Sequence, residues 1–193
     1  IGLKYERQGS EKESSAIIET GVPKYITKRW KSVGIKAGKT KKKHNAIVIG
    51  RKDQKEELKA LKKIFNKVDL LEAKQNQLST GYDILIDIEG LGEKGSKVDL
   101  NRIEQLKRLV EGKAIKVMLQ LTRGIESLQR KTVKESGIER VGLYRMLGHE
   151  YGHVTTRHID IDQTGDLERV ISIELEASDS PEVCWRKGKR YEA

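Results

Sequence analysis

The chain has 193 residues, with 39 Lys+Arg against 29 Asp+Glu and a formal charge of +10, and this length suits one domain with or without an arm. It has neither the ~20 consecutive apolar residues of a membrane-spanning helix nor a signal peptide at its start. We therefore predict a soluble protein, either cytoplasmic or delivered as a domain of a secreted protein, and the single Cys184 excludes an intramolecular disulfide.

Positive charge is concentrated in residues 22–43, which contain nine basic residues and no acidic one. This pattern predicts a basic, partly flexible arm over residues 1–43, followed by a domain over residues 44–193. The lysines at the end of the arm are candidates for binding nucleic acid or another anionic partner: Lys41, Lys42 and Lys43. A solvated linker is the alternative interpretation of the same residues.

Strands and helices mix along the first half of the predicted domain. Residues 45–50 predict a short buried strand, and residues 54–71 predict an amphipathic helix that starts after Asp53. Residues 82–89 alternate between apolar and polar, which predicts a half-exposed strand. The glycines that follow do not predict a phosphate-binding loop, because no G-K-[ST] follows them.

The second half begins with a helix that Asp99 caps and a strand over residues 113–121. A third helix is predicted over residues 139–157, and a loop over residues 159–166. The mixture of strands and helices indicates an α+β or α/β class.

The most informative motif is His149-Glu150-Tyr151-Gly152-His153, an H-E-x-x-H pattern inside the third predicted helix. Residues four apart share one helix face, so both imidazoles can reach one Zn²⁺ at ~2.0–2.1 Å. Glu150 can then act as general base and take a proton from the zinc-bound water. The pattern predicts a zinc hydrolase with His149 and His153 as metal ligands; a chance match is the alternative.

A hydrolytic zinc site needs a third protein ligand. Glu174 is the favoured candidate, because a helix over residues 166–178 would put its carboxylate on an apolar stripe, where it needs a partner or a metal. A strand over the same residues would instead expose Glu174, and this alternative stays open. His158 lies nine positions after His149, which is about 180° around a continuous helix, so we expect it beside the site rather than on the metal.

The segment HEYGHVTTRH, residues 149–158, resembles the H-E-x-x-H-V-x-x-R-H signature of the HtpX-like and CAAX-prenyl-protease-like zinc metallopeptidases. In that family a Glu on a following helix, in an E-x-x-A-D context, is the third ligand. Here residues 174–177 match E-x-x-A, and Ser178 stands in place of the Asp. The resemblance covers about residues 113–180 and implies Zn²⁺ with these residues in the gluzincin roles: His149, His153 and Glu174 as ligands and Glu150 as general base.

The resemblance implies an α+β fold, a small zincin-like domain with a short sheet, an active-site helix carrying H-E-x-x-H and a following helix. It also implies a zinc endopeptidase that acts on polypeptides. Soluble domains of this kind occur as toxin or effector parts of larger secreted proteins, and a chain that starts at Ile1 rather than Met is consistent with such a fragment.

In this hypothesis the peptide substrate adds a strand beside the predicted edge strand that carries Ile115, Val117 and Leu119. A hydrogen-bond donor should stabilise the oxyanion, and four residues are candidates for that role: Tyr144, Tyr191, Arg157 and His158.

Two further functions remain open at this point. One is a nucleic-acid-binding or anionic-surface-binding module that uses the arm 22–43, with the histidine motif structural. The other is a zinc hydrolase that acts on a non-peptide amide or on a nucleic acid.

Overall fold

The structure is a computed structural model, and it describes residues 28–35, 44–71, 81–92, 99–130, 132–134, 137–162, 166–177 and 180–193. Within these residues, eight strands form one sheet in the order β1-β8-β7-β6-β5-β4-β2-β3. The strands are β1 (Lys31–Val33), β2 (Asn45–Ile49), β3 (Lys67–Leu70), β4 (Ile84–Gly90), β5 (Val117–Arg123), β6 (Thr155–Ile161), β7 (Glu182–Arg186) and β8 (Lys189–Glu192).

The central strands are all parallel. They are β3, β2, β4, β5, β6 and β7, whereas β8 pairs antiparallel with β7, and β1 pairs antiparallel with β8. Strand order reverses between β2 and β4, because the chain goes outward from β2 to β3 and then returns to place β4 on the other side of β2. In open α/β sheets, ligands bind at the carboxyl ends of the strands at such a switch point.

Four helices cover the two faces of this sheet. They are α1 (Lys55–Ile64), α2 (Leu100–Glu111), α3 (Ile138–Glu150) and α4 (Leu167–Glu176). One apolar core lies between the sheet and the helices α1 and α4, and contains Leu61, Ile86 and Ile171. A second core lies between the other face and the helices α2 and α3, and contains Leu85, Leu106 and Tyr144. A parallel sheet that is buried on both faces is typical of α/β proteins.

The connection through α4 differs in hand from the others. From β4 to β7 the chain moves steadily toward one edge, yet α2 and α3 lie on one face and α4 lies on the opposite face beside α1. The β6–α4–β7 crossover therefore has the opposite hand to the crossovers through α2 and α3. Because about 98% of parallel crossovers are right-handed, the α4 connection is an exception.

The fold-class prediction is wrong: the structure is α/β, with an eight-stranded, mostly parallel sheet, rather than an α+β zincin-like domain. The sheet also includes residues that we assigned to the basic arm, since Lys31–Val33 forms β1. The lysines at the end of that arm lie outside the described residues, so their binding of an anionic partner stays a prediction: Lys41, Lys42 and Lys43.

The third predicted helix is too long, and this error has a physical cause. Helix α3 ends at Glu150, and residues 155–161 form β6 instead of a helix end and a loop. Val154, Thr155 and Thr156 are consecutive β-branched residues, which favour a strand. Their backbone continues the sheet beside β5, so pairing outweighs the helical pattern of the preceding residues.

No helix in the described part of the chain combines the length and the apolar character that crossing a membrane requires.

Candidate functional site

The residues of the H-E-x-x-H motif lie at and beyond the end of α3. His149 and Glu150 are exposed in the last turn, and Tyr151 ends the helix, so His153 is no longer one helical turn from His149. The Nε2 atom of His153 lies 3.0 Å from the carbonyl oxygen of Val110, to which it donates. The motif therefore does not present two imidazoles on one helix face, which was the basis of the predicted zinc site.

Glu174 is on a helix, as one of the two interpretations had it, but its side chain lies in the core on the α4 face of the sheet. Trp185 Nε1 donates to its Oε1 at 2.7 Å, and Arg190 Nε donates to the same oxygen at 2.8 Å. Arg157 Nη1 lies 3.2 Å from Oε2. Both carboxylate oxygens are thus engaged, and the sheet separates Glu174 from His149, so these residues do not form one metal site.

The other predicted site residues also have structural partners. Arg157 is buried in β6 and pairs with Glu174, and Tyr144 is buried and donates to Asp87 at 3.0 Å. The Tyr191 hydroxyl on β8 accepts from Gln129 Nε2 at 3.0 Å. None of these described contacts places an oxyanion donor beside the H-E-x-x-H residues.

The strand that we expected to bind substrate lies in the middle of the sheet. Val117 and Leu119 belong to β5, which pairs with β4 on one side and β6 on the other. Ile115 precedes the strand and is buried in the second core. A substrate cannot add to β5, because both of its hydrogen-bonding edges are already taken.

A buried network of charges lies at the carboxyl end of β4, next to the switch point. Arg140 of α3 donates to Asp87 at 2.8 Å and also to Glu89. Arg102 of α2 adds a second guanidinium, whose Nη2 is 3.8 Å from Glu89 Oε1. Burial raises the pKa of Asp87, and the Arg140 charge acts against that rise. These side chains tie β4 to α2 and α3 at the place where a Rossmann-type protein would hold a ligand.

A second buried network centres on Asp160 of β6. Its carboxylate accepts from the backbone N–H groups of Gly124 at 2.7 Å and Ile125 at 3.1 Å, and it pairs with Arg186. Thr122 Oγ1 lies 2.7 Å from Asp160 Oδ1. Asp160 thus fixes the segment after β5 onto the neighbouring strands, and these contacts hold the pKa of its carboxyl below the usual range despite burial.

The same contacts define the tautomer of His158. The single hydroxyl proton of Thr122 goes to Asp160, because a carboxylate only accepts, so His158 Nε2 must donate to Thr122 Oγ1 at 2.8 Å. Nδ1 then carries a lone pair and makes no hydrogen bond in the described structure. It lies 3.8 Å from Glu126 Oε1. His158 is therefore a buried neutral imidazole.

Beside His158, two carboxylates and the imidazole have ligand atoms close enough together to share one cation. Glu126, His158 and Glu182 offer ligand atoms that lie within 4.8 Å of one another. The Lys28 ammonium contacts the carboxylates of both Glu126 and Glu182, and Arg145 contacts Glu182. Lysine and arginine thus already balance both negative charges, which makes this cluster an internal ion-pair group.

Burial lowers the pKa of His158 from 6.5 to about 4, with Asp160 and Glu182 opposing and Lys28 and Arg145 supporting this shift. The imidazole of His158 therefore binds a proton near pH 6.5 in the unfolded chain, but only near pH 4 in the folded chain. The contribution of His158 to the free energy of unfolding should then be fully present above pH 6.5. This contribution should fall by up to about 3 kcal/mol as the pH drops to 4. Urea unfolding across this range will measure the change.

His149→Gln is the matched control, because His149 is exposed. We expect His158→Gln to flatten the pH dependence between 6.5 and 4, whereas His149→Gln should leave the slope as it is. An unchanged slope in His158→Gln would contradict the assignment of this titration to His158.

The first turn at the switch point tests whether a dinucleotide fits. In a Rossmann fold this turn is rich in glycine, so that the backbone and the following helix can approach a pyrophosphate. Here the turn between β2 and α1 runs Gly50-Arg51-Lys52-Asp53-Gln54, with one glycine. The Gln54 side chain is buried, accepts from Arg51 N at 2.9 Å and donates to the Ile88 carbonyl at 2.7 Å. The Gln54 side chain thus joins this turn to β4 at the start of α1.

The described residues at the two ends of the turn after β4, 90–92 and Asp99, do not favour a dinucleotide either. Residues 90–95 read G-L-G-E-K-G, which has the glycine spacing of the fingerprint. The Arg51 guanidinium lies against Gly92, and the Asp99 carboxylate accepts from Arg102 N at 2.8 Å at the start of α2. A carboxylate at this helix end repels a phosphate, so the described residues at both turns disagree with a dinucleotide site.

Comparisons with known proteins point in one direction. No family model matches the chain. It is 40% identical to the polyketide synthase PksL of Bacillus subtilis (strain 168) over an alignment of 116 residues, which covers 56% of this chain and 2% of that protein.

Two solved structures share its fold. The ketoreductase from the first module of phoslactomycin biosynthesis in Streptomyces sp. HK803 matches with a TM-score of 0.59 and 18% identity, over 84% of this chain and 36% of that one. The adenylation, ketoreductase and pseudo Asub multidomain structure of a keto acid-selecting NRPS module matches with a TM-score of 0.58 and 12% identity, over 84% of this chain and 18% of that one.

These findings overturn the functional predictions from the sequence. The relative that the chain matches in sequence is a polyketide synthase, and the two solved structures that share its fold contain ketoreductases. The resemblance to zinc metallopeptidases is therefore wrong, and so are the predicted hydrolase and protease activities, Zn²⁺ as the cofactor and the alternative of a nucleic-acid-binding module. The buried charges at the carboxyl end of β4 were not predicted from the sequence. Two acidic residues within an isoleucine-rich strand, Asp87 and Glu89, were a signal for buried arginine partners.

Proposed function

We propose that the chain is a Rossmann-like domain of a polyketide-synthase ketoreductase unit, and that it supports the unit without binding the dinucleotide itself. The observation that carries this proposal is the turn between β2 and α1. It has the position of a dinucleotide-binding turn, but Gln54 bridges it to Ile88 in β4. The 40% identity to part of a polyketide synthase supports the choice of enzyme class.

The chemistry of ketone reduction determines which functions the rest of the unit would have to supply. A ketoreductase transfers a hydride from NADPH to a ketone, and the site must hold the dinucleotide and donate a proton to the developing alkoxide. In this domain the carboxyl ends of β2 and β4 are occupied by Gln54, Arg51 and the Asp87–Arg140 pair. The remainder of the unit would therefore supply the hydride site, while this sheet stabilises that part by packing against it.

A titration with NADPH tests the proposal. The 193-residue chain should show no saturable change in nicotinamide fluorescence up to about 1 mM NADPH, which corresponds to binding weaker than about −4 kcal/mol. The ketoreductase unit that carries the chain should bind NADPH far more tightly and reduce a small β-keto thioester. Micromolar binding of NADPH by the chain alone would contradict the supporting role, and a unit without ketone reduction would contradict the enzyme class.

A variant of a residue that is buried on α4 provides the second arm of the test. Glu174→Ala in the whole unit should lower the temperature at which ketone reduction is lost, while the Michaelis constant for NADPH measured at low temperature stays unchanged. A raised Michaelis constant would instead indicate that this domain contacts the dinucleotide.

A further inference from the structure

Positive charge collects at the edge of the sheet that β1 forms. Arg190 of β8 lies opposite Val33, so the turn between β7 and β8 lies at the carboxyl end of β1. Four exposed basic side chains belong to these segments, and we name them the β1-edge cations: Arg29, Lys31, Lys187 and Lys189. None of the ion pairs within the described residues includes any of these four.

Two carboxylates near these cations have other partners. Glu192 lies opposite Lys31 in the register, but its carboxylate pairs with Arg190. The Asp162 carboxylate accepts from the backbone N–H of Lys187 at 2.6 Å. The charge of the β1-edge cations is therefore available to an anionic partner.

The opposite edge of the sheet, formed by β3, balances its own charge. Lys67 Nζ lies 3.2 Å from Asp69 Oδ2 and 4.7 Å from the centre of the Tyr82 ring. The Tyr82 hydroxyl donates to the same carboxylate. The excess of positive charge thus distinguishes the β1 edge, and the sequence agrees, since β1 lies within the segment 22–43 that has nine basic residues and no acidic one.

The outer edge of β1 presents backbone groups in strand geometry. The two-residue turn Lys187-Gly188 has φ angles of 50° and 71°, which are typical of a type I′ hairpin, and the residues that close such a turn bond each other. Backbone groups alternate between the two edges of a strand, so Lys189 bonds β7, and Arg190 bonds Val33 of β1. The N–H and C=O of Ser32 therefore point away from β8, toward an edge with which no described strand pairs.

We propose that the outer edge of β1 binds an acidic segment of another polypeptide, which adds to the sheet as a further strand. The segment would pair with the N–H and C=O of Ser32, and its carboxylates would face the β1-edge cations. Nucleic acids and lipid surfaces carry negative charge but lack the alternating N–H and C=O groups of a strand, so the geometry favours a polypeptide. This inference does not depend on the proposed ketoreductase class.

Fluorescence anisotropy of a labelled peptide tests the proposal. The probe is about seven residues long, with glutamate and valine at alternate positions so that it favours a strand. The 193-residue chain should bind it saturably at low salt, and less tightly as salt screens the charges. Lys31→Glu with Lys189→Glu should weaken binding about tenfold. Lys59→Glu with Lys62→Glu, at exposed positions of α1, is the matched control and should change the affinity less than about twofold.

Ser32→Pro separates strand pairing from charge. Proline removes the outward N–H but no hydrogen bond to β8, so the melting temperature should stay unchanged while binding of the peptide is lost. Peptide binding by this variant as tight as by the unaltered chain would contradict strand addition. Equal binding of a glutamate–proline peptide of the same charge, of single-stranded DNA or of anionic lipid vesicles would overturn the polypeptide as occupant. No binding of the glutamate–valine peptide would overturn the inference, and the cations would then only keep other strands away from this edge.

Discussion

Replacement of Glu174 by alanine should lower the free energy of unfolding by about 3–5 kcal/mol, because it removes a buried carboxylate that two buried guanidinium groups share. Arg157 and Arg190 are both buried, and both pair with the Glu174 carboxylate. The Trp185 indole N–H loses its acceptor as well. A loss of this size is a large part of the stability of an ordinary domain. Urea unfolding monitored by tryptophan fluorescence will measure it.

The control for this experiment is on the same helix. Glu176→Ala removes an equal charge from an exposed position of α4 and should change the free energy of unfolding by less than about 0.5 kcal/mol. Glu174→Gln should fall between the two, because the amide can still accept from Trp185 while the charge is gone. Equal stabilities of the Glu174 and Glu176 variants would contradict the structural role that we assign to Glu174.

Replacement of Arg140 by methionine should have a similar effect at the opposite face, about 3–5 kcal/mol at pH 7. The substitution leaves the fully buried Asp87 and the nearby Glu89 without the guanidinium that pairs with both. Burial already raises the pKa of Asp87, and without Arg140 that pKa should rise further. Thermal and urea unfolding at several pH values will test the prediction.

The pH dependence of this variant has a definite sign. A buried carboxyl with a raised pKa binds a proton more readily in the folded state, so the variant should lose stability as the pH rises and regain part of it as the pH falls toward 5. Arg145→Met on the same helix is the control: Arg145 is half-exposed and pairs with Glu182, so its loss should cost at most about 1 kcal/mol. A penalty in the Arg140 variant that does not depend on pH would contradict the role of Asp87.

Local patterns along the chain predicted several elements well. The strands near residues 45–50 and 82–89 and a helix after Asp99 are confirmed, since periodicity and capping act over a few residues. The prediction that the second of these strands is half-exposed is wrong, because every residue of β4 is buried. Asp99 and Asp166 both accept from the backbone N–H three residues later, as a cap does. Strand order and the hand of the α4 crossover depend on contacts between distant residues, which these local patterns do not report.

Glu174 has partners, but they are not the predicted metal. A carboxylate on an apolar helix stripe needs a partner, and the structure supplies one. It is an arginine pair from β6 and β8, not a metal, and only the folded sheet brings Arg157 and Arg190 to Glu174. The H-E-x-x-H residues lie where a helix ends. The predicted zinc site required a helix over all five of them, whereas α3 ends at Glu150 and β6 begins at Thr155.

The pairing of β1 with β8 determines how this domain would respond to a mechanical load. Lys31 at the start of β1 lies opposite Glu192 at the end of β8, and Val33 lies opposite Arg190. A force that pulls Lys31 and Glu192 apart acts across the strands, so it opens their hydrogen bonds one after another instead of shearing them together. In a single-molecule pulling experiment through these two residues, β1 should detach at low force before the central parallel strands give way.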